Sequence, residues 1–145
     1  MKVVIIGGVA GGATAAARIR RLNEQAQIVV FERSGYVSYA NCGLPYYIGG
    51  VMENQEELTL QTPESFRKRF RIDVRVRHEV VQIHPEKKKV KVQNLDTKEV
   101  FEESYDKLLI STGAKPTQPD LPGIGLKRLF TLRTVEDTLR IRRFV

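Results

Sequence analysis

The chain has 145 residues, of which 41% are apolar and 28% are charged, the balance of one soluble globular domain. No apolar run approaches the roughly 20 residues needed to cross a bilayer, and the apolar residues 2–6 lead into glycines rather than a cleavage site. We therefore expect a cytoplasmic protein without a membrane partner. The net charge of +7 comes from scattered Lys and Arg, and no nucleic-acid-binding module accompanies them, so nucleic acid is not an expected partner.

The first third of the chain predicts a β-α-β unit. Residues 2–6 are a continuous β-branched run, residues 13–22 are Ala-rich and helix-forming, and residues 27–31 form a second apolar run that ends at Glu32. Such a unit places its two strands in parallel with a right-handed crossover. Residues 33–62 are expected to form loops with short helices.

The remaining pattern predicts an α/β fold: a Rossmann-like parallel sheet with a small antiparallel β-meander added. A turn at residues 94–96 joins two short strands of the meander. The further predicted elements are a helix capped by Thr62, strands over 73–83, 88–93, 99–104 and 107–111, and a final helix starting near Thr134.

A glycine-rich turn follows the first strand and opens the first helix. The dinucleotide pattern G-x-G-x-x-G fits between Gly7 and Gly12, with Val9 in place of the middle glycine. Unpaired N–H groups at the helix N-terminus suit a pyrophosphate, and a carboxylate at Glu32 suits ribose hydroxyls. The acid favours an unphosphorylated ribose, as in FAD or NAD, and the loop alone does not separate these two. A purely structural turn is the other interpretation of the glycines.

Cys42 is the only cysteine, which excludes an internal disulfide and a Cys-rich zinc site, and no metal is expected. Asn41 is a good N-cap residue and Pro45 suits a first helical turn, so Cys42 is predicted at a helix N-terminus, which favours the thiolate. Gly43 would let a flat ring or a substrate approach closely. The alternative is a small buried hydrophobe, the common fate of a free cysteine.

Five segments together resemble a known family over essentially the whole chain: GGVAGGATAAARIRRL, FER, SYANCGLPYYIGG, ESYDKLLISTGAKP and TLRTVEDT. They are similar to the amino-terminal part of coenzyme A disulfide reductases, which are FAD-dependent pyridine nucleotide–disulfide oxidoreductases. The forms fused to a rhodanese-like domain are particularly similar. The cysteine segment and the turn with Val9 are the specific parts of the resemblance.

The resemblance implies a redox role for Cys42. Most disulfide reductases carry a second cysteine five positions on, but here that position is Tyr47. A lone cysteine has to form a mixed disulfide with its substrate or pass through sulfenic acid. The family uses NAD(P)H and FAD to reduce the mixed disulfide of this cysteine with coenzyme A. Related single-cysteine enzymes, such as NADH oxidases, peroxidases and polysulfide reductases, act on oxygen, peroxide or polysulfide. A non-catalytic nucleotide-binding or interaction domain is the alternative from another class.

Carried over by position, the family's contacts fall on two sets of residues. Arg18 and Arg21 are three apart and share one helix face, where their guanidinium groups suit coenzyme A phosphates. A phosphate-contacting lysine of some members falls at Phe70, so that contact would need Arg69 or Arg71. The implied substrate contacts are Thr14, Arg18, Arg21, Ser38 and Asn41. The implied FAD contacts are Gly7, Gly8, Val9, Ala10, Gly11, Gly12, Glu32, Arg33, the backbone of Val81, Thr112, Gly113 and Arg133.

The resemblance also sets the domain organisation. Residues 1–145 correspond to the N-terminal part of an FAD-binding domain, incomplete relative to the full family fold. The NAD(P)H-binding domain and the C-terminal interface domain are expected to be absent. We expect these residues alone to lack a complete catalytic cycle, and the full-length form to be a homodimer whose partner supplies tyrosines near the cysteine.

Overall fold

Four strands with almost wholly apolar inner residues form a parallel sheet: β1 (Lys2–Ile6), β2 (Gln27–Glu32), β3 (Asp73–Val76) and β7 (Lys107–Ile110). The computed structural model describes all of residues 1–145. Its chain divides into two compact units, one of residues 1–39 and 59–112 and one of residues 40–58 and 113–145. The parallel sheet belongs to the first unit.

The strand order of this sheet is β3-β2-β1-β7, and every neighbouring pair is parallel. This is the order of the first four strands in a doubly wound nucleotide-binding sheet. Two helices of the same unit are α1 (Ala10–Leu22), which starts three residues before the predicted helix, and α3 (Pro63–Phe70). The α/β fold with a Rossmann-like parallel sheet is confirmed.

A second, antiparallel sheet in the same unit consists of β4 (His78–His84), β5 (Lys89–Asn94) and β6 (Val100–Ser104), in that order. The predicted meander is confirmed, but the single strand predicted over 73–83 is wrong. Arg77 has a φ of 58°, in the left-handed region, and there the chain leaves the parallel sheet and enters the meander. Both strands alternate in polarity, so periodicity did not reveal the break between them.

The second unit carries α2 (Leu44–Ile48) and α4 (Val135–Phe144), with single 3₁₀ turns at Asn41–Gly43 and Gln55–Leu58. Thr134 caps α4: its side chain accepts a hydrogen bond from the Asp137 N–H, and the Asp137 carboxylate accepts one from the Thr134 N–H. The predicted start of this helix is confirmed. None of the helices combines the length and the apolar character that a membrane crossing requires.

Arg20 stands among the arginines of α1 that the sequence treats as scattered surface charge, yet it is only 9% exposed. Its guanidinium donates hydrogen bonds to four backbone carbonyls, at the ends of both α1 and α3: those of Asn23, Glu24, Phe70 and Arg71. Burial, together with the charge of Arg71, lowers the pKa of the Arg20 guanidinium. Arg20 is therefore a shared C-terminal cap for two helices.

Replacing Arg20 by alanine is expected to lower the free energy of unfolding by about 2 kcal/mol, because four partly buried carbonyls lose a charged donor. Arg21→Ala is the matched control, since Arg21 is exposed on the same helix, and it should change the value by no more than about 0.5 kcal/mol. Chemical denaturation followed by circular dichroism measures both variants. Equal effects of the two substitutions would contradict the capping role.

Candidate functional site

The glycine turn in the first unit has no room for side chains at its two ends. Gly7 has a φ of +98°, and a Cβ added there would lie 2.1 Å from the carbonyl oxygen of Ser111. A Cβ on Gly12 would lie 1.8 Å from the Gly7 carbonyl oxygen. The middle position needs no glycine, because Val9 has a negative φ of −96° at the N-cap of α1. The substitution of Val9 into the dinucleotide pattern is thus compatible with its backbone.

The N-terminus of α1 is left without a capping side chain. Val9 accepts no hydrogen bond through its side chain, and the first turn contains no acidic residue. The N–H groups of a first helical turn have no partner within the helix, so they can donate hydrogen bonds to an anion bound at this end of α1. This is the geometry that a pyrophosphate requires.

Glu32 links the glycine turn to the end of β2 through hydrogen bonds to its carboxylate. Its Oε2 accepts a hydrogen bond from the Gly8 N–H at 2.8 Å, and its Oε1 accepts one from the Ser34 N–H at 2.8 Å. Each carboxylate oxygen keeps a further lone pair. The carboxylate is therefore held in a fixed position with capacity left to accept ribose hydroxyls.

A pocket of about 160 Å³ opens beside Glu32, within the first unit. This is less than the 300 Å³ or more of sites that enclose a drug-sized ligand, so it admits one part of a dinucleotide. Arg33 and Glu79 form a long ion pair of 3.5 Å at this pocket. The lining residues are Ile6, Gly7, Phe31, Glu32, Arg33, His78, Glu79, Val80 and Thr112.

The structure therefore gathers Gly7, Glu32, Arg33 and Thr112 around one pocket. Val81 is not among the lining residues: its side chain is 49% exposed, at a register irregularity of β4, and the pocket is lined instead by the preceding residues.

His78 is a pocket residue that the sequence analysis did not identify. Its ring lies 6.3 Å from the Phe31 ring and 6.1 Å from the Phe101 ring, and its Nδ1 is 2.7 Å from the Val76 carbonyl oxygen. The left-handed Arg77 directly before it carries the chain from β3 to β4. No feature of the sequence marked that break.

In the second unit, the remaining two predicted cofactor residues lie side by side. Gly113 lies against the Arg133 guanidinium, whose Nη2 would be 3.2 Å from a Cβ on that glycine. Arg133 also donates through Nε to the Ala114 carbonyl, at 3.4 Å, and its backbone N–H donates to Asp137 at 3.1 Å. Arg133 is thus fixed at the start of α4.

Cys42 is exposed and lies in the middle of the 3₁₀ turn that runs directly into α2. The alternative of a buried hydrophobe is wrong for this structure. The predicted N-cap role of Asn41 is also wrong: Ala40 is the N-cap of the turn, and no side chain caps it. The Asn41 Oδ1 is instead buried without a hydrogen-bond partner, so it is an acceptor that still needs a donor.

The predicted substrate residues fall in different settings. Thr14, Arg18 and Arg21 are all exposed on α1, at a spacing that puts them on one face of the helix. Ser38 has a left-handed φ of 48°, and its backbone bridges the glycine turn and Leu60 through hydrogen bonds of 2.9 Å. The two arginines form an open basic face of the first unit.

Comparison with protein-family models identifies the fold family of this geometry. The model for pyridine nucleotide-disulphide oxidoreductases matches residues 1–144. The chain belongs to this family.

Individual members of the pyridine nucleotide-disulphide oxidoreductase family are similar over nearly the whole chain. The coenzyme A disulfide reductase of Staphylococcus aureus (strain bovine RF122 / ET3-1) is 46% identical over 144 residues, covering 99% of this chain and 32% of that protein. The crystal structure of reduced Bacillus anthracis CoADR-RHD is 53% identical with a TM-score of 0.95, covering 99% of this chain and 26% of that one. An NAD-dependent persulfide reductase from A. fulgidus is 38% identical with a TM-score of 0.92, covering 99% and 27%.

The chain spans about a third of the length of the curated relatives it matches. The pyridine nucleotide-disulphide oxidoreductase family is FAD-dependent. The residues present fit the adenosine and pyrophosphate parts of such a dinucleotide, because the turn excludes side chains at Gly7 and Gly12, the helix behind it is uncapped, and Glu32 is held at a pocket.

Proposed function

We propose that this chain is the N-terminal, FAD-binding part of a flavoprotein disulfide reductase that uses NAD(P)H to reduce coenzyme A disulfide through Cys42. The observation that carries the proposal is the exposed, unpaired Cys42 thiol in a chain of this family. The similarity to coenzyme A disulfide reductase from Staphylococcus aureus supports coenzyme A disulfide as the substrate.

Each unit by itself contains proposed FAD contacts. In the first unit, residues 7–12 would hold the pyrophosphate and Glu32 would hold the ribose. Arg33, Thr112 and the backbone near Val81 would surround the adenosine. In the second unit, Gly113 and Arg133 lie side by side and are the further proposed FAD contacts. FAD, when bound, supplies the two-electron transfer from NAD(P)H to the disulfide.

The proposed chemistry at Cys42 has two steps, a thiol–disulfide exchange and the reduction of the mixed disulfide that this exchange forms. The Cys42 thiolate attacks one sulfur of coenzyme A disulfide, a Cys42–S–S–CoA bond forms, and the first coenzyme A leaves as thiolate. Two electrons from NAD(P)H then break that mixed disulfide, which releases the second coenzyme A and restores the Cys42 thiolate. One disulfide, one NAD(P)H and one proton thus give two thiols and NAD(P)⁺.

The position of Cys42 suits both steps. Its exposure lets a bulky disulfide reach the sulfur, and no second cysteine competes for the mixed disulfide.

Turnover of the full-length protein with different acceptors tests the proposal. We expect NAD(P)H oxidation to be fastest with coenzyme A disulfide, and slower with polysulfide, persulfide, oxygen or peroxide. The similarity to a persulfide reductase makes persulfide reduction the second candidate. Faster turnover with a persulfide would replace the substrate assignment, and the absence of a flavin spectrum would contradict the cofactor assignment.

The α1 face is assigned to the phosphates of coenzyme A, and Thr14 adds a hydroxyl donor on the same face. Replacing both Arg18 and Arg21 by alanine is expected to raise KM for coenzyme A disulfide about tenfold, because two charge-assisted phosphate contacts are lost. kcat should stay within about twofold, since a phosphate contact that is equally strong in the ground state and the transition state changes KM and not kcat.

Steady-state kinetics of the full-length enzyme measure this change. A Lys68→Ala/Lys91→Ala protein is the matched control, because it removes the same two charges from exposed positions elsewhere. The same rise of KM in both proteins would mean that net charge, and not the α1 face, attracts the substrate. The homodimeric state and the cytoplasmic location stay predictions.

A further inference from the structure

The helix that follows Cys42 is short and is held at two points. α2 has five residues, far fewer than the roughly 12–15 at which an isolated helix becomes marginally stable. Its first residue, Leu44, is only 2% exposed and fixes the N-terminal end. Its C-terminal end runs into Gly49 and Gly50, which give no side-chain anchor. That end depends on contacts from elsewhere in the second unit.

Arg142 of α4 supplies those contacts. Its Nη1 donates to the Tyr47 carbonyl, and it also donates to the Ile48 carbonyl at 3.3 Å. Its guanidinium carbon also lies 5.0 Å from the centre of the Tyr47 ring. A positive charge on the last carbonyls of a helix is favourable, and a guanidinium serves both carbonyls and ring at once.

The helix that presents Arg142 is itself fixed at its other end. The Thr134–Asp137 capping box holds the N-terminus of α4, and Val135 and Thr138 are completely buried. Arg133 donates its backbone N–H to the Asp137 carboxylate and lies against Gly113. α4 therefore connects Gly113 and Arg133, which are assigned to the cofactor, with the helix that follows the cysteine, inside one compact unit.

We propose that Arg142 is a positioning residue for Cys42: by holding the C-terminal end of α2, it fixes the direction of that helix and, through it, the orientation of the thiol. The coupling is direct, because the Leu44 N–H donates to the Asn41 carbonyl and the turn containing Cys42 passes into α2 without a break. With Arg142 removed, α2 stays attached at Leu44 and pivots about it. This inference rests on the proposed function for its catalytic consequence only.

Hydrogen exchange and kinetics of the full-length flavoprotein test this role with Arg142→Met, which keeps an unbranched apolar stem but removes the donors and the charge. Amides of residues 46–50 are expected to exchange at least about tenfold faster, while the Leu44 amide at the pivot should not change. kcat with coenzyme A disulfide is expected to fall about ten- to a hundredfold, with KM within about twofold, because a misplacement near 1 Å costs about that much.

Arg143→Met is the matched control, since Arg143 is the exposed neighbour that bonds only to the Leu139 carbonyl of its own helix. Arg142→Lys should give exchange rates between those of the wild type and the Met variant, because an ammonium replaces only some of the contacts that the planar guanidinium makes. The Lys variant also tests the role of Arg142 if the Met variant does not fold. Unchanged exchange at residues 46–50, or equal changes in the Arg143 variant, would overturn the inference. If the wild-type enzyme does not reduce coenzyme A disulfide, the proposed function fails, while the exchange result still decides the role of Arg142.

Discussion

Replacing Cys42 by serine in the full-length protein is expected to lower turnover with coenzyme A disulfide by about a thousandfold or more, as for the loss of a catalytic nucleophile. A serine hydroxyl is almost wholly protonated at neutral pH and forms no disulfide with coenzyme A, so the first exchange is lost. Residues 1–145 contain no other cysteine.

Two measurements make this result specific. The flavin content and the rate at which NAD(P)H reduces the flavin should be unchanged, because the substitution touches the sulfur chemistry alone. Mass spectrometry of the wild-type protein after incubation with coenzyme A disulfide should find one coenzyme A attached per chain, at Cys42. Turnover of the Ser variant at more than a tenth of the wild-type rate would refute the role of Cys42.

The second large effect is expected at Gly12. In an ordinary helix, glycine-to-alanine substitution stabilises by about 0.5–1 kcal/mol. At Gly12 the sign reverses, because the added Cβ would lie 1.8 Å from the Gly7 carbonyl oxygen, and relieving this overlap forces the turn apart. Overpacking of this kind costs about 1–3 kcal/mol, and here it also displaces the N–H groups assigned to the pyrophosphate.

The measured quantities for Gly12→Ala are the flavin-to-protein ratio and the temperature of unfolding, both expected to fall. Gly125→Ala is the matched control: no atom lies within 4 Å of a Cβ at Gly125, and its φ is not positive. That protein should keep its full flavin content. A Gly12→Ala protein that binds FAD normally would show that the close approach at the turn is not required.

The parallel sheet and the meander were predictable because their strands are continuous apolar or alternating runs separated by glycine, proline or asparagine. Position 77 was not predictable, since a single left-handed arginine changes the sheet without changing the alternation on either side. Arg20 was missed for a related reason. Composition treats three neighbouring arginines alike, whereas only Arg20 donates to four backbone carbonyls, and two of these, of Phe70 and Arg71, come from residues distant in the chain.

Within the candidate site, sequence pattern located the residues but not their partners. The glycine turn and Glu32 were recognisable from spacing, while the hydrogen bond from Gly8 to Glu32 depends on the folded turn. The capping role predicted for Asn41 failed because Ala40 occupies the N-cap position of the 3₁₀ turn, and the Oδ1 of Asn41 is buried without a hydrogen-bond partner. Local sequence preference predicts which residues suit an N-cap position, but tertiary packing decides which residue occupies that position.

The two hydrogen bonds of Glu32 have a consequence for how selectivity and stability are linked in this chain. The hydrogen bonds from the Gly8 and Ser34 N–H groups keep the Glu32 carboxylate from rotating away. A phosphate on the ribose would therefore be repelled by a negative charge in a fixed position. Changing that preference by substituting Glu32 would also release the glycine turn. Evolution toward a dinucleotide with a phosphorylated ribose at this site would therefore need a compensating change in the glycine turn before Glu32 could be replaced.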